Sequence, residues 1–97
     1  MTLKITAVAN SIQFEGVLNR DTLILYSPFK LLNTLTGTIQ FDFAALTAID
    51  TAGLAWLLQQ LAQARDTSLK IELCNVPQQL LSLADVSAVR ALLPIVE

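Results

Sequence analysis

The chain has 97 residues, of which 54% are hydrophobic and only 14% are charged, and its net charge at pH 7 is −2. This acidic balance, with a pI near 4.8, excludes a nucleic-acid-binding protein that relies on a basic surface. The length predicts one small domain over residues 1–97. No apolar run reaches the roughly 18 residues of a membrane span, and the N-terminus lacks a signal-peptide layout. We therefore expect a cytoplasmic protein that does not insert into the membrane.

The surface is expected to be unusually apolar. Soluble chains usually carry about 25% charged residues, whereas this chain carries only 14%. Its mean hydropathy is correspondingly high, at +0.58. Apolar surface patches on such a chain usually mark a binding site for a partner. We therefore expect either a stable complex with another protein or, for the isolated chain, a homodimer. The single Cys74 permits no internal disulfide, and its apolar strand context favours a packing role over a reactive thiol.

Four segments alternate apolar and polar residues with a period of two. Each such strand buries one face and exposes the other, so together they predict a sheet with helices on one side only. The stretch Ala9–Ser11 joins the first two strands and predicts an antiparallel hairpin. A helical segment separates the last two, which predicts a parallel pair and a mixed sheet. The four segments are Leu3–Ile5, Ser11–Phe14, Ile39–Phe43 and Leu69–Leu73, and the helical segment is Leu54–Arg65.

The positions of the proline residues predict where the remaining helices begin. Proline in a helix interior removes a hydrogen bond and clashes, but it suits the first helical position. We therefore expect a short turn over Asp21–Tyr26 and then a helix from about Pro28 to near Gly37, with a single kinked helix as the alternative. Two further helical pieces are expected, over Pro77–Ala84 and Ser87–Leu93.

The central helix is predicted to have an uncharged outer face. At about 100° per residue, leucine and alanine form one broad arc that we expect to face the sheet. An uncharged opposite face with one aromatic anchor is typical of the core of a protein interface. We therefore predict that Trp56 is substantially exposed in the isolated chain; the alternative is that it leans, half-buried, against a neighbouring helix. The arc contains Leu54, Leu57, Leu58, Leu61, Ala62 and Ala64, and the opposite face contains Ala52, Trp56, Gln59, Gln60 and Gln63.

The stretch Ile49–Gly53, IDTAG, lies where a strand becomes this helix. Asp50 and Thr51 are both residue types that cap helix N-termini, and a cap alone explains most of the motif. A helix N-terminus also suits an anion such as phosphate. The two small residues that follow are expected to let a partner approach closely.

The sequence supports no catalytic site. It contains no histidine, no cysteine beside a base, no carboxylate pair suited to acid–base chemistry, no metal-ligand cluster and no phosphate loop of the Walker type. Asp42 and Asp50 are interpreted as a strand-edge charge and a cap. We expect a non-enzymatic protein without a cofactor.

The segment Phe41–Leu58, FDFAALTAIDTAGLAWLL, resembles the STAS domains, a family that includes the anti-sigma-factor antagonists. The hallmark of that family is a strand and a short loop followed by a D-S-S-G-L step that opens a helix. Upstream, FEGVLN resembles the family's G-E-L-D step, with Asn19 in place of the usual aspartate. The resemblance implies an α/β STAS fold with a four-stranded mixed β-sheet and helices packed on one face. It also implies a non-enzymatic module that docks onto a partner.

In the antagonists a kinase phosphorylates the position that is Ala52 here, and alanine cannot accept phosphate. The D-T-x-G-L-A form, the short chain and the proline-interrupted first helix are more similar to the small STAS subunit, MlaB-like, of the ABC-type phospholipid transporter that maintains outer-membrane lipid asymmetry. That similarity implies contact between Thr51 and the ATPase subunit, at the cytoplasmic face of the inner membrane. The alternatives are an antagonist-like switch that binds an anti-sigma factor or a kinase, and a small lipid- or nucleotide-binding domain. The predicted partner interface comprises Asn19, Asp50, Thr51, Ala52, Trp56, Gln59 and Gln63.

Overall fold

The computed structural model describes residues 2–24 and 35–96. Four strands form one sheet in the order β1-β2-β3-β4. β1 and β2 are antiparallel, while β2 with β3 and β3 with β4 are parallel, so the predicted mixed sheet is confirmed. The strands are β1 Leu3–Val8, β2 Ser11–Leu18, β3 Thr38–Ile49 and β4 Lys70–Cys74.

The described helices are α1 Arg20–Leu23, α2 Thr51–Asp66 and α3 Gln78–Val86, followed by a 3-10 turn over Arg90–Leu92. α3 begins one residue after the predicted start, with Pro77 as its N-cap, and it ends at Val86, two residues beyond the predicted end. The helix expected from Pro28 falls largely on residues 25–34, which lie outside the described residues. Of the predicted last piece, only the short 3-10 turn forms.

The core lies between the helices and one face of the sheet. The Phe14 ring is central to it, with ring centroids 5.0 Å from Phe43 and 5.2 Å from Phe41. The other face of the sheet carries exposed polar residues such as Gln13 and Gln40, which confirms that the helices pack on one face only. The largest fully buried side chains of the described chain are Phe14, Phe41, Phe43, Ile12, Leu18, Ile39, Leu57, Leu73 and Leu80.

Irregularities in β3 bring two strand ends together. The register between β2 and β3 shifts twice, and extra residues of β3 are accommodated at each shift. At the first, the Asp42 carboxylate accepts a hydrogen bond of 2.9 Å from the backbone nitrogen of Ala44, which holds the bulge. Beyond the second, Leu18 pairs with Ile49. β2 and β3 therefore end side by side.

Candidate partner-binding site

Two helices begin next to each other where β2 and β3 end. The backbone N–H of Asp50 donates to the carbonyl of Leu18 at 3.3 Å, which ties the two strand ends together. Asn19 is the N-cap of α1 and Asp50 is the N-cap of α2. The parallel pairing of the strands therefore brings Asn19 to the same edge of the sheet as the IDTAG residues.

Asn19 closes a capping box at the start of α1. Its Oδ1 accepts from the backbone nitrogen of Thr22 at 3.0 Å, and its own backbone N–H donates to Thr22 Oγ1 at 3.0 Å. The Thr22 hydroxyl in turn donates to the Val17 carbonyl at 2.8 Å, and this threonine is buried. Sequence reasoning missed Thr22, although an Asn followed three residues later by a hydroxyl residue is a variant of the capping-box pattern.

Asp50 caps α2. Its Oδ1 accepts from the backbone nitrogen of Gly53 at 2.9 Å, which satisfies one of the exposed amides at the helix start. The sequence left open whether Asp50 or Thr51 supplies this cap, and the structure assigns it to Asp50. The side chain of Thr51 is exposed on the first turn.

Gly53 faces the interior of the molecule. A Cβ atom at this position would lie 2.5 Å from the carbonyl oxygen of Leu18 and 2.8 Å from Cγ1 of Ile49. The close approach that glycine permits is therefore made by the chain's own strand end. The expectation that Gly53 leaves room for a partner is wrong, since that space is already filled.

The buried face of α2 is rotated about the helix axis by roughly 70° from the face that was predicted to be buried, at 3.6 residues per turn. Between Thr51 and Ala64 the helix carries no charge and has leucine or alanine on almost every side, so its composition fits several rotations. The close contact of Gly53 with Leu18 selects one of them. Leu58 is consequently only half-buried and Ala62 is exposed, contrary to the prediction. The residues buried on α2 are Gly53, Leu54, Leu57, Gln60 and Ala64.

Trp56 is half-buried, so the prediction that it is substantially exposed is wrong. Its ring meets that of Phe14 edge-on, with centroids 5.9 Å apart and an interplanar angle of 76°. Edge-to-face contact with a fully buried phenylalanine stabilises both rings. Trp56 therefore belongs to the margin of the core, close to the alternative that the sequence left open.

Gln60 was predicted on the outer face and is instead 3% exposed. The rotation that places Trp56 against the core also turns this glutamine inward. Its Oε1 atom has no hydrogen-bond partner in the described part of the chain. A buried carbonyl without a partner costs free energy, so we expect Gln60 to lower the stability of the fold.

The surface that remains on α2 is a ridge of small or uncharged side chains. We call it the α2 ridge and define it as Thr51, Ala55, Gln59 and Ala62, all exposed. Gln63 is exposed beside it. Sequence reasoning found Thr51, Gln59 and Gln63 but missed Ala55 and Ala62. Gly53 could have provided a signal, because a residue without a Cβ permits its helix to approach a neighbouring element closely on that side.

The thiol of Cys74 is poorly suited to reaction. Cys74 is half-buried at the end of β4, opposite Asp42 in the sheet. Partial burial and, after it, the carboxylates of Asp42 and Glu72 raise the pKa of this thiol. Because the thiolate is the reactive form, nucleophilic or metal-binding chemistry is disfavoured here. Residues 2–24 and 35–96 contain no group of three or more His, Cys, Asp or Glu residues that could hold a metal ion.

None of the described helices combines the length and hydropathy that crossing a membrane requires. The fold is that of a STAS domain. It matches the anti-sigma factor antagonist SpoIIAA in its unphosphorylated form with a TM-score of 0.66 and 14% identity, over 98% of this chain and 87% of that chain. It also matches the murine Slc26a9 anion transporter in the inward-facing state, with a TM-score of 0.53 and 14% identity, over 82% of this chain. The match spans only 14% of that transporter chain.

Residues 29–95 match the family of STAS domains described as MlaB, and the chain belongs to that family. The predicted fold and family are therefore confirmed. No curated protein matches the chain in sequence. Membership of this family fits a regulatory or accessory role exerted through protein–protein contact.

Proposed function

We propose that this chain, as a single STAS domain over residues 1–97, is a non-enzymatic accessory subunit of an ABC-type phospholipid transporter. It binds the ATPase subunit through the α2 ridge and stabilises or activates that ATPase. The transporter maintains outer-membrane lipid asymmetry, and the chain lies in the cytoplasm at the inner membrane through its complex. Membership of the MlaB family supports this choice of partner.

The observation that carries the proposal is the uncharged, exposed α2 ridge. A helix face in contact only with water usually carries Glu and Lys, whereas the centre of a protein interface is depleted of charge. The small side chains of Ala55 and Ala62 leave the backbone of α2 accessible to a partner helix. Thr51 and Gln59 supply hydrogen-bonding groups along the same line. The ridge is thus shaped for close, largely uncharged contact with another protein.

The remaining residues of the predicted interface take supporting roles in this proposal. Asp50 caps α2 and so fixes where Thr51 is presented, while Asn19 caps the neighbouring helix α1. Trp56 braces α2 against Phe14, and its exposed part borders the ridge. Ala52, half-buried, adds no bulk at the helix start, and Gln63 extends the polar contacts toward the far end.

An anti-sigma-factor-antagonist-like switch is the second candidate. The observation in its favour is the exposed Thr51 hydroxyl on the first turn of α2, where the helix N-terminus would stabilise an added phosphate. Against it, Ala52 has no side-chain hydroxyl at the position that is phosphorylated in the antagonists. The proposed accessory role predicts that Thr51 carries no phosphate, which intact-mass measurement of the protein from its native source would test.

The partner is tested by affinity purification of the tagged chain from its native source, followed by mass spectrometry. The proposal predicts an ABC ATPase in stable, near-equal amount, together with its permease. It also predicts that ATP hydrolysis by the purified ATPase falls when this chain is removed. Recovery of an anti-sigma factor or a kinase in place of the ATPase would contradict the accessory role and support the antagonist-like switch.

A further inference from the structure

A second surface feature lies at the far end of α2 from the IDTAG stretch. A groove of about 320 Å³ runs between the last turns of α2, the start of β4 and the 3-10 turn. Most of its lining is apolar and includes Leu61, Ala64 and Leu69. Leu92 lies on its rim and is 62% exposed, one of the few large apolar side chains that the described chain leaves open to water.

The walls of the groove are held by backbone hydrogen bonds. The Leu73 N–H donates to the Pro94 carbonyl at 2.9 Å, and the Val96 N–H donates to the Leu73 carbonyl at 2.9 Å. These bonds pin the C-terminal segment along the edge of β4. On the other side, the Leu69 N–H donates to the Ala64 carbonyl at 2.8 Å, which fixes the turn after α2. The groove is therefore formed before anything binds, which lowers the entropic cost of binding.

Both charged residues that line the groove are cationic. They are Arg65 and Lys70, and no acidic residue is among its lining. Arg65 has no ion-pair partner within residues 2–24 and 35–96. Lys70 lies 3.9 Å from a carboxylate oxygen of the half-buried Glu72, but the lysine side chain itself is 73% exposed, so this long ion pair leaves it accessible to a ligand.

We propose that this groove binds a short segment of a partner protein in which an apolar side chain is flanked by carboxylates. The apolar side chain would cover Leu92 and fill the space above Leu61, while the carboxylates would pair with Arg65 and Lys70. The volume lies at the small end of ligand cavities, which suits one or two side chains better than a long acyl chain. The inference does not depend on the ATPase assignment, because it rests on different residues at the opposite end of α2.

A nuclear magnetic resonance titration of the isotope-labelled full chain tests this inference directly. The probe is a synthetic eight-residue peptide with two central leucines flanked by glutamates, and the control peptide has lysines in place of the glutamates. The acidic peptide is expected to shift the amide signals of Leu61, Arg65 and Leu92 in a saturable way. The lysine peptide is expected to bind at least tenfold more weakly. Raising the salt concentration should weaken binding of the acidic peptide.

Charge reversal at the groove provides the matched variants. The double variant Arg65→Glu/Lys70→Glu should lose affinity for the acidic peptide by at least tenfold, while Lys4→Glu/Arg20→Glu, which reverses two exposed cations outside the groove, should bind it as the unaltered chain does. Equal binding of both peptides, or no loss in the double variant, would overturn the inference. Shifts at the groove with vesicles of anionic phosphatidylglycerol but not with the peptide would also overturn it, in favour of a lipid surface. None of these results depends on binding to the ATPase.

Discussion

The two faces of α2 differ in what fixes them. The inner face is held by specific contacts: Gly53 fits against the Leu18 carbonyl, and Trp56 meets the Phe14 ring edge-on. The outer face, the α2 ridge, is also uncharged but is exposed. The absence of charge therefore does not separate the two faces of this helix. Close packing at a single glycine does, and it leaves the ridge as the face available to a partner.

The two faces of α2 should tolerate substitution differently. Substitutions on the inner face should alter the free energy of unfolding, whereas substitutions on the ridge should leave it nearly unchanged and alter binding instead. Matched pairs of variants, one on each face, measure this difference directly.

The largest effect is expected when the same side chain is added to each face. Gly53→Val places atoms within 3 Å of the Leu18 carbonyl and of Ile49, so it should destabilise the fold by about 4 kcal/mol or prevent folding. Ala55→Val, on the ridge, should cost only about 0.5 kcal/mol through its lower helix propensity. Chemical denaturation of both variants checks the pair, and equal losses would contradict the assignment of the two faces.

Removal of the tryptophan should have the next largest effect. Trp56→Ala deletes a half-buried ring that packs on Phe14, and we expect a loss of about 2–3 kcal/mol, below the roughly 3–5 kcal/mol of a fully buried aromatic residue. Gln59→Ala, on the ridge, should change stability by less than about 0.5 kcal/mol. The measurement is the midpoint and slope of urea unfolding. An unchanged midpoint for Trp56→Ala would show that the ring does not support the core.

Two glutamines on α2 give a comparison of opposite sign. Gln60→Met replaces a buried amide whose Oε1 lacks a partner among the described residues, and it should stabilise the fold by about 1–2 kcal/mol. Gln63→Met lies at an exposed position and should change stability by less than about 0.5 kcal/mol. Thermal unfolding followed by circular dichroism distinguishes the two. A destabilised Gln60→Met protein would mean that the buried amide makes a hydrogen bond that stabilises the fold.

The smallest stability effect is expected at the helix start. Asp50→Ala removes the hydrogen bond to the Gly53 amide and should cost about 1 kcal/mol. Thr51→Ala should cost less than about 0.5 kcal/mol, because Asp50 supplies the cap. Denaturant melts of the two variants test the assignment. A larger loss of stability in Thr51→Ala than in Asp50→Ala would show that the threonine, and not the aspartate, caps the helix.

The sequence predicted the sheet well because its signals are local. Alternation in Ile39–Phe43 and Leu69–Leu73 defines which side chains are buried, and the intervening helix requires a parallel crossover. The Asp50 cap is equally local. The rotation of α2 was predicted wrongly because it depends on a long-range contact between Gly53 and Leu18, and the hydrophobic pattern of an uncharged helix is too even to fix it. The same error led to the wrong predictions that Gln60 lies on the outer face and that Trp56 is substantially exposed to water.

The sequence also did not predict that Asn19 and Asp50 lie close together. Their proximity requires β2 and β3 to end together, and that depends on the two register shifts in β3. The bulge at Asp42 is held by a side-chain hydrogen bond to Ala44 that alternation alone does not reveal.

A binding titration against the ATPase recovered with the chain tests the role of the α2 ridge most directly. Ala55→Arg puts a long charged side chain in the middle of the ridge, and Gln40→Arg puts the same side chain on the open face of the sheet. Both positions are exposed, so both variants should fold normally. We predict that Ala55→Arg weakens binding by at least tenfold, about 1.4 kcal/mol, while Gln40→Arg binds within twofold of the unaltered chain. Undiminished binding by a folded Ala55→Arg protein would contradict the assignment of the α2 ridge as the partner-binding face.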